Sequence, residues 1–197
     1  MKKKRAKREQ LLNAGLTLLM NRPADKISMD DVAAEAGVTK PMVYYYFGSK
    51  LGFYEQLVEY TANSLQKMLQ DCLEPDISFR ELLQRIINAR IDQLVTRPEL
   101  SNAVRIMATR KTIGGAESRT RIVAIFNHLQ PIFNQAVKLG EIRKDVDLHL
   151  IMALVNSLLD GVVRIHGKQF FDSETSFNFA DMLIRLVFDG VGTGKRS

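Results

Sequence analysis

Apolar residues recur every three or four positions along most of the chain, which is the spacing of amphipathic helices. The first such stripe contains Leu12, Gly15, Leu16 and Leu19, and it ends before Pro23, a residue that helix interiors exclude. The same periodicity predicts further helices over residues 78–96, 98–109, 116–139, 147–166 and 173–188. No segment shows a convincing two-residue alternation of apolar and polar positions. The pattern therefore predicts an all-α protein.

A short helix is predicted directly after Ser28. Ser28 followed by Asp30 and Asp31 is typical of a helix N-cap with an acidic first turn, because these side chains suit the free backbone N–H groups at a helix start. Gly37 occupies the position where a helix commonly ends on a left-handed residue. The helix is therefore expected to lie between Ser28 and Gly37.

A second short helix is predicted after a three-residue turn, 37–39. Thr39 is placed to cap it, and Pro41 lies in its first turn, where the missing N–H of proline does no harm. Gly48 is expected to end this helix, and Ser49 to cap a fourth helix over residues 50–73. Two short helices joined by a turn that contains glycine match the helix-turn-helix motif.

The second helix of this motif, residues 40–47, has two dissimilar faces. Val43 and Phe47 lie four residues apart and are predicted to point into the core. Three consecutive tyrosines inside a core would each need a buried hydrogen-bond partner, whereas on DNA their hydroxyls reach phosphates and their rings pack against sugars or thymine methyl groups. The outer face, which therefore indicates nucleic-acid binding, carries Lys40, Pro41, Tyr44 and Tyr45, flanked by Met42 and Tyr46.

The charge of the chain agrees with a polyanionic partner. The sequence contains 28 Lys and Arg residues against 22 Asp and Glu residues, which is a formal net charge of +6. The first eight residues include a basic run of Lys2, Lys3, Lys4, Arg5, Lys7 and Arg8. Such a run is usually a solvated tail, but ahead of a helix-turn-helix it favours DNA contact, because binding releases counterions from the duplex.

Composition also bears on where the chain works. Its one cysteine, Cys72, excludes an internal disulfide and a cysteine-built zinc site, and it fits a reducing cytosol. The longest uninterrupted apolar runs, residues 42–47 and 150–155, fall far short of the roughly 20 residues that span a bilayer. No apolar stretch of signal-peptide type follows the N-terminal lysines. We expect a cytoplasmic protein that does not enter a membrane.

The sequence lacks the residue patterns of common enzyme sites. His128, His149 and His166 do not have the spacing of metal ligands, and neither a Gly-x-Ser-x-Gly elbow nor a glycine-rich phosphate loop occurs. We therefore expect no enzymatic activity, no metal and no cofactor. Two classes stay open besides a ligand-gated regulator: an architectural protein that binds DNA without sequence preference, and a helical enzyme with a vestigial DNA-binding head.

The predicted helix over residues 147–166 has more apolar surface than one core needs, and the last predicted helix repeats the pattern. A helix that is apolar around most of its circumference must be covered around most of it. We expect a partner subunit to cover the surplus stripe, in which we place Val155 and Leu159. Two central helices of a monomeric bundle are the alternative. The two stripes are Leu148, Ile151, Met152, Val155, Leu159 and Val162, and Leu150, Leu154, Leu158 and Ile165.

The helix-turn-helix and its flanks resemble a known family. Residues 28–50 have the sequence SMDDVAAEAGVTKPMVYYYFGSK, which closely resembles the DNA-binding signature of the tetracycline-repressor (TetR) family. The helix that begins near Arg8 resembles the first helix of that family, so the resemblance covers residues 8–55. One departure is Pro23–Ala24, where the family commonly has a glycine–aromatic pair.

The resemblance implies an N-terminal three-helix DNA-binding domain at residues 1–50 and a C-terminal helical ligand-binding and dimerisation domain at residues 51–197. It implies a ligand-responsive repressor that binds a palindromic double-stranded DNA operator as a homodimer, through the last two long helices, and is released by a small-molecule effector. By position, it assigns DNA contacts to Ser28, Thr39, Lys40, Pro41, Met42, Tyr44, Tyr45, Tyr46 and Lys50. Candidates to line the family's effector cavity are Arg90, Met107, Phe126, His128 and Asn156.

Overall fold

The computed structural model describes residues 2–108, 115–171 and 173–191. Within these ranges the chain is built from α-helices and short 3₁₀ turns, which confirms the predicted all-α fold. The helices are α1 Lys2–Leu19, α2 Met29–Glu35, α3 Lys40–Phe47, α4 Lys50–Cys72, α5 Phe79–Thr96, α6 Pro98–Ala108, α7 Gly115–Phe126, α8 Gln130–Leu139, α9 Leu148–His166 and α10 Ser173–Val191. The 3₁₀ turns are Ala24–Lys26, Asn127–Leu129 and Lys168–Phe171.

Two segments differ from the prediction. Residues 116–139 do not form one helix, because the 3₁₀ turn Asn127–Leu129 separates α7 from α8. The cause is Pro131 in the first turn of α8, which has no N–H to continue the hydrogen-bond series of the preceding helix. The first helix begins before its expected start near Arg8, because the basic run after Lys2 forms the first turns of α1, where its side chains stay mostly exposed.

The chain divides into two compact units. The first contains Met1–Gln66 and Pro98–Ile122, and the second contains Lys67–Arg97 and Val123–Ser197. The chain thus passes from the first unit to the second inside α4, beyond the domain boundary expected at residue 50. The assignment of separate functions to residues 1–50 and 51–197 stays a prediction.

The first unit has one apolar core, to which α1, α2, α3, α4 and α6 all contribute. Val32 of α2, Val43 of α3 and Phe53 of α4 are completely buried in it. The ring of Phe47, the last residue of α3, meets that of Phe53 edge to face, with 5.0 Å between ring centroids. This burial holds the short helices α2 and α3, which are too short to be stable alone.

The second unit is organised around α5. Buried apolar residues run along this helix from Phe79 to Leu94, and it packs against α8, α9, α10 and the turn Lys168–Phe171. The Phe79 ring lies edge to face with that of Phe133 of α8 at a centroid distance of 5.3 Å. It also lies 6.4 Å from the ring of Phe188 of α10, so three helices share one aromatic contact region.

Helix α9 has two apolar faces with different environments. Ile151, Val155 and Leu159 are buried in the second unit, so our placement of Val155 and Leu159 in the surplus stripe was wrong. The other stripe is the exposed one; its members are between 45 % and 76 % exposed and are Leu158, Leu154, Leu150 and Ile165. Side chains at positions i and i+4 line one face of a helix, and the pattern alone does not say which face meets the core.

Among the described residues, α9 is also a helix long and apolar enough to cross a membrane, by length and composition only, with a mean hydropathy of 1.6. One of its faces packs into a protein core and the other meets solvent, as just described. A helix of a protein core passes the same test of length and composition.

Candidate nucleic-acid interface

The turn between α2 and α3 has the geometry that a helix-turn-helix requires. Gly37 has a φ of 61°, a left-handed conformation that glycine adopts without steric cost. The backbone N–H of Val38 donates to the carbonyl oxygen of Ala33 at 2.9 Å, which closes the end of α2. The predicted helix end at Gly37 is confirmed.

A reciprocal set of hydrogen bonds begins α2. Ser28 Oγ accepts from the N–H of Asp31 at 3.1 Å, and the Asp31 carboxylate accepts from the N–H of Ser28 at 2.8 Å, which is a capping box. Arg22 donates to the other oxygen of Asp31 at 2.8 Å. The predicted cap at Ser28 is therefore confirmed, and it also ties α2 to the segment that follows α1.

These contacts control the charge state of Asp31. Its hydrogen bonds with Ser28, and after them that with Arg22, hold the pKa of the carboxyl well below its ordinary value. Because the folded-state pKa lies below the unfolded-state pKa, the ionised carboxylate stabilises the fold at neutral pH. That contribution is lost as the pH falls through the folded-state pKa.

The start of α3 differs from the prediction. Thr39 is the N-cap residue, with φ −87° and ψ 150°, but its side chain makes no capping hydrogen bond. Pro41 lies in the first turn, as predicted, and leaves one fewer free N–H to satisfy. The Thr39 hydroxyl is thus not used inside the helix and lies on the exposed side of the turn.

The predicted faces of α3 are present in the structure. Val43 and Phe47 are buried, whereas Tyr45 is 71 % exposed. Tyr46 is half-buried: it packs against the core, and its ring meets that of Tyr45 edge to face at 5.3 Å. The exposed positions of the outer face are Lys40, Pro41, Met42, Tyr44 and Tyr45.

A tight connection joins α3 to α4. Ser49 Oγ accepts from the N–H of Gly52 at 2.9 Å, which confirms the predicted cap. A Cβ atom on Gly52 would lie 2.4 Å from the carbonyl oxygen of Phe47, so the close approach of the two helix ends requires glycine. Lys50 is exposed in the first turn of α4, and its Nζ lies 5.9 Å from the centroid of the Tyr54 ring.

Tyr54 was not predicted as part of the site. Its hydroxyl donates to the carbonyl oxygen of Ala24 at 2.7 Å and lies 3.3 Å from that of Ile27. Burial raises the pKa of Tyr54 to about 12, so the hydroxyl stays a donor. This contact joins α4 to the segment just ahead of α2, at the Pro23–Ala24 departure.

The basic first turns of α1 approach α3. Lys4 Nζ lies 5.2 Å from the centroid of the Tyr45 ring, within the range of a cation–π contact. One turn later, Arg8 Nε donates to Gln56 Oε1 of α4 at 2.7 Å. The basic run is therefore placed beside the exposed tyrosine face by the fold of the first unit.

Sequence reasoning also missed the acidic partners in this region. Lys40 Nζ donates to Asp30 Oδ2 at 2.8 Å, and Arg22 pairs with Asp31 as described above. The only signal in the sequence was the acidic pair at the start of α2, which we had assigned to helix capping. Which cation each carboxylate meets depends on the angle between α2 and α3, and that angle is a tertiary feature.

The predicted effector residues lie in different surroundings. Arg90 is only 3 % exposed and donates to Asn156 Oδ1 at 2.9 Å and to Gln93, while Asp160 Oδ1 lies 3.9 Å from Arg90 Nη2. Burial lowers the pKa of Arg90, and the charge of Asp160 opposes this shift. The structure therefore brings two predicted residues, Arg90 and Asn156, into one buried polar cluster.

No hydrogen bond or ion pair in the described part of the chain joins the other three predicted effector residues to this cluster. Phe126 is buried, and His128 is exposed with its Nδ1 about 3.1 Å from the carbonyl oxygen of Ile125. Met107 is buried and belongs to the first unit, unlike the remaining four. Across the part of the chain that the structure describes, no group of three His, Cys, Asp or Glu side chains is arranged to hold a metal ion.

Comparison with known proteins agrees with this geometry. Residues 11–57 match the family model described as bacterial regulatory proteins, tetR family. A nucleoid occlusion factor SlmA from Shewanella pealeana is 25 % identical over 169 residues, which is 85 % of this chain and 84 % of that protein. A TetR family transcription regulator from Marinobacter aquaeolei has a similar structure, with a TM-score of 0.75, 19 % identity, and coverage of 98 % of this chain and 99 % of that one.

A third similar structure is the transcriptional regulator FadR from Bacillus subtilis in complex with stearoyl-CoA. Its TM-score is 0.69 and its identity 18 %, and the match covers 93 % of this chain and 98 % of that one. Residues 11–57 thus match the DNA-binding domain of the tetR family, and the chain as a whole has the fold of that family's solved members. The matched family and the relatives named above are DNA-binding regulators and not enzymes.

The difference between the two N-caps is testable. Ser28→Ala removes a capping bond and is expected to lower the free energy of unfolding by about 1 kcal/mol. Thr39→Ala, the matched control, removes a hydroxyl that makes no such bond, and a smaller loss is expected. Urea unfolding followed by circular dichroism at pH 7 measures both. Equal losses would contradict the assignment of the two caps.

Proposed function

We propose that this protein is a ligand-responsive repressor that binds a palindromic operator as a homodimer and is released by a small-molecule effector. The observation that carries the proposal is the outer face of α3. Exposed Lys40, Tyr44 and Tyr45 project from a helix whose other side is locked into the core by Val43 and Phe47. A rigid helix with a protruding polar and aromatic face suits insertion into the major groove.

The proposed DNA contacts fall into two groups. Ser28, Tyr44 and Lys50 are assigned to phosphates, since Ser28 and Lys50 stand at helix N-termini, where backbone N–H groups favour an anion. Lys40 and Tyr45 are assigned to base edges. The remaining contacts are proposed for Thr39, Pro41, Met42 and, at the half-buried margin of the face, Tyr46.

The proposed dimer uses the last two long helices. α9 exposes Leu150, Leu154 and Leu158 at four-residue intervals, and α10 exposes Met182 and Leu186 with the same spacing. Large exposed apolar side chains in a regular row indicate a surface that another protein covers. A second copy presenting the same rows would cover them with twofold symmetry, and such a dimer presents two recognition helices to a palindrome.

The proposed effector site is in the helical body and includes the Arg90 cluster. An amphipathic molecule with an acid group suits a mainly apolar body that contains the buried guanidinium of Arg90, because a guanidinium pairs strongly with a carboxylate or phosphate. The B. subtilis FadR structure, with stearoyl-CoA bound, supports this class of ligand. Effector binding is proposed to change the spacing of the two recognition helices, which must stay near one DNA turn, about 34 Å.

A second candidate function comes from the SlmA relatives, which are named nucleoid occlusion factors. That role differs from the control of one operator, and it stands beside the architectural class left open by the sequence. Mapping the bound sites in the chromosome separates the two. Occupancy confined to a few promoters supports the repressor, and occupancy spread over the chromosome supports the occlusion role.

The two groups of DNA contacts predict different effects. Tyr44→Ala and Lys50→Ala are expected to weaken binding to every sequence alike, because phosphates carry no base identity. Lys40→Ala and Tyr45→Ala are expected to reduce discrimination as well, by about 1–3 kcal/mol per lost base contact. Titration of an operator selected from random DNA, with a scrambled duplex as control, measures both quantities. Equal loss on the two duplexes for all four variants would contradict the assignment.

The dimer surface is tested by charge insertion. Leu154→Glu and Leu158→Glu are expected to dissociate the dimer without unfolding the protomer, because these side chains are exposed in the single chain. The matched control is Leu139→Glu, a leucine that is also exposed but lies on α8. Sedimentation measures the mass against 22.3 kDa per chain. A wild-type protein that is monomeric at micromolar concentration would refute the dimer.

Effector release is tested with fatty acids and acyl-CoA thioesters. Saturation with a member of this class is expected to lower operator affinity between about 5-fold and about 150-fold, the usual range of coupling between sites. Arg90→Met should abolish the response, while Arg143→Met, a change at an exposed arginine, should preserve it. If no member of the panel binds, or if binding leaves operator affinity unchanged, this effector class is wrong.

A further inference from the structure

The lysine that begins the recognition helix is held by a carboxylate. Lys40 Nζ lies 2.8 Å from Asp30 Oδ2, and both side chains are in contact with solvent, with exposed fractions of 48 % and 65 %. Asp30 belongs to the first turn of α2 and Lys40 to the first turn of α3, so the ion pair crosses the helix-turn-helix. The pair therefore lies on the surface proposed to meet DNA.

The neighbouring carboxylate has a different task. Asp31 uses its two oxygens for Ser28 and Arg22, and these contacts build the N-cap of α2. Asp30 takes no part in the capping box, and its hydrogen bond to Lys40 raises the pKa of that lysine above the ordinary value. Asp30 is thus placed to act on Lys40 without being needed to cap the helix.

We propose that Asp30 is a specificity-determining residue. It holds Lys40 in an ion pair within the protein. Contact with a DNA phosphate does not break this pair, whereas contact with the matching base edge does. The proposal rests on the proposed operator binding by α3. An exposed ion pair is weak and similar in strength to one phosphate contact, whereas a good base contact is several times stronger. On a wrong sequence Lys40 therefore gains little by leaving Asp30 for a phosphate, and on the operator it moves to the base.

Lys50 provides an internal comparison. It is exposed at the start of α4, and its ammonium lies over the ring of Tyr54 instead of against a carboxylate. A contact with a ring face leaves the ammonium with N–H groups that point away from the ring and are available to a phosphate oxygen. The same surface thus carries one lysine suited to phosphates of any sequence and one whose use depends on the base.

The decisive variant is Asp30→Asn, which keeps the side-chain shape and removes the charge. Its affinity for a scrambled duplex is expected to rise about fivefold, because the freed Lys40 gains a phosphate contact. The slope of log affinity against log salt concentration is expected to steepen by about 0.9, the value for one added phosphate contact. Affinity for the operator selected from random DNA should rise about twofold at most, so discrimination falls. Glu35→Gln, the same charge change on exposed α2 surface, should alter neither slope nor discrimination.

The Lys40→Met background shows whether Asp30 acts through Lys40. The effect of Asp30→Asn is expected to vanish there; if it persists, direct repulsion between Asp30 and DNA explains it and the proposal is overturned. An equal gain on both duplexes in the parent background also overturns it. If the wild type binds no duplex, or if Lys40→Met binds like the wild type, the proposed function fails first. Circular dichroism confirms that every variant is folded.

Discussion

The proposed interface depends on the burial of apolar side chains beneath a helix of eight residues, α3. A helix this short does not form by itself in water, because its nucleation cost exceeds what a few backbone hydrogen bonds return. Val43 and Phe47 supply the missing free energy by packing into the first unit, where Phe47 meets Phe53 of α4. The outer residues of α3 are thereby held in place with no contribution of their own to the core, and they are available for recognition.

The same constraint explains the crowded turns around α3. Gly52 allows the end of α3 to lie close to the start of α4, because it has no Cβ to collide with the carbonyl oxygen of Phe47. Two residues later, the hydroxyl of Tyr54 is hydrogen-bonded to the segment ahead of α2. Any movement of α4 must therefore act on both ends of the helix-turn-helix. α4 itself continues past Gln66 into the residues of the second unit.

Charge is arranged on this surface in pairs and not only as a positive patch. Arg22 and Lys40 each have an aspartate partner, whereas Lys4 and Lys50 lie over tyrosine rings. A net charge of +6 predicts attraction to DNA in general, but it does not distinguish these two environments. In the proposed complex Lys40 exchanges Asp30 for a base edge, and this exchange is where we place discrimination between sequences.

Much of the fold followed from local sequence, because capping residues, prolines, glycines and apolar periodicity act within one turn of helix. Ser28, Gly37 and Ser49 could be assigned for this reason, and so could the buried side of α3. The helix break near Pro131 was missed although its cause is local.

Val155 and Leu159 were assigned to the wrong face, because α9 has two apolar stripes and only packing against α5 decides which is buried. The pairs Lys40–Asp30 and Arg90–Asn156 join residues 10 and 66 positions apart, and the contact of each depends on how separate helices cross. The sequence by itself determined most of the helices, several of their ends and the exposed side of α3. The tertiary structure decided which charges meet, because side-chain contacts between helices depend on crossing angles that no local pattern encodes.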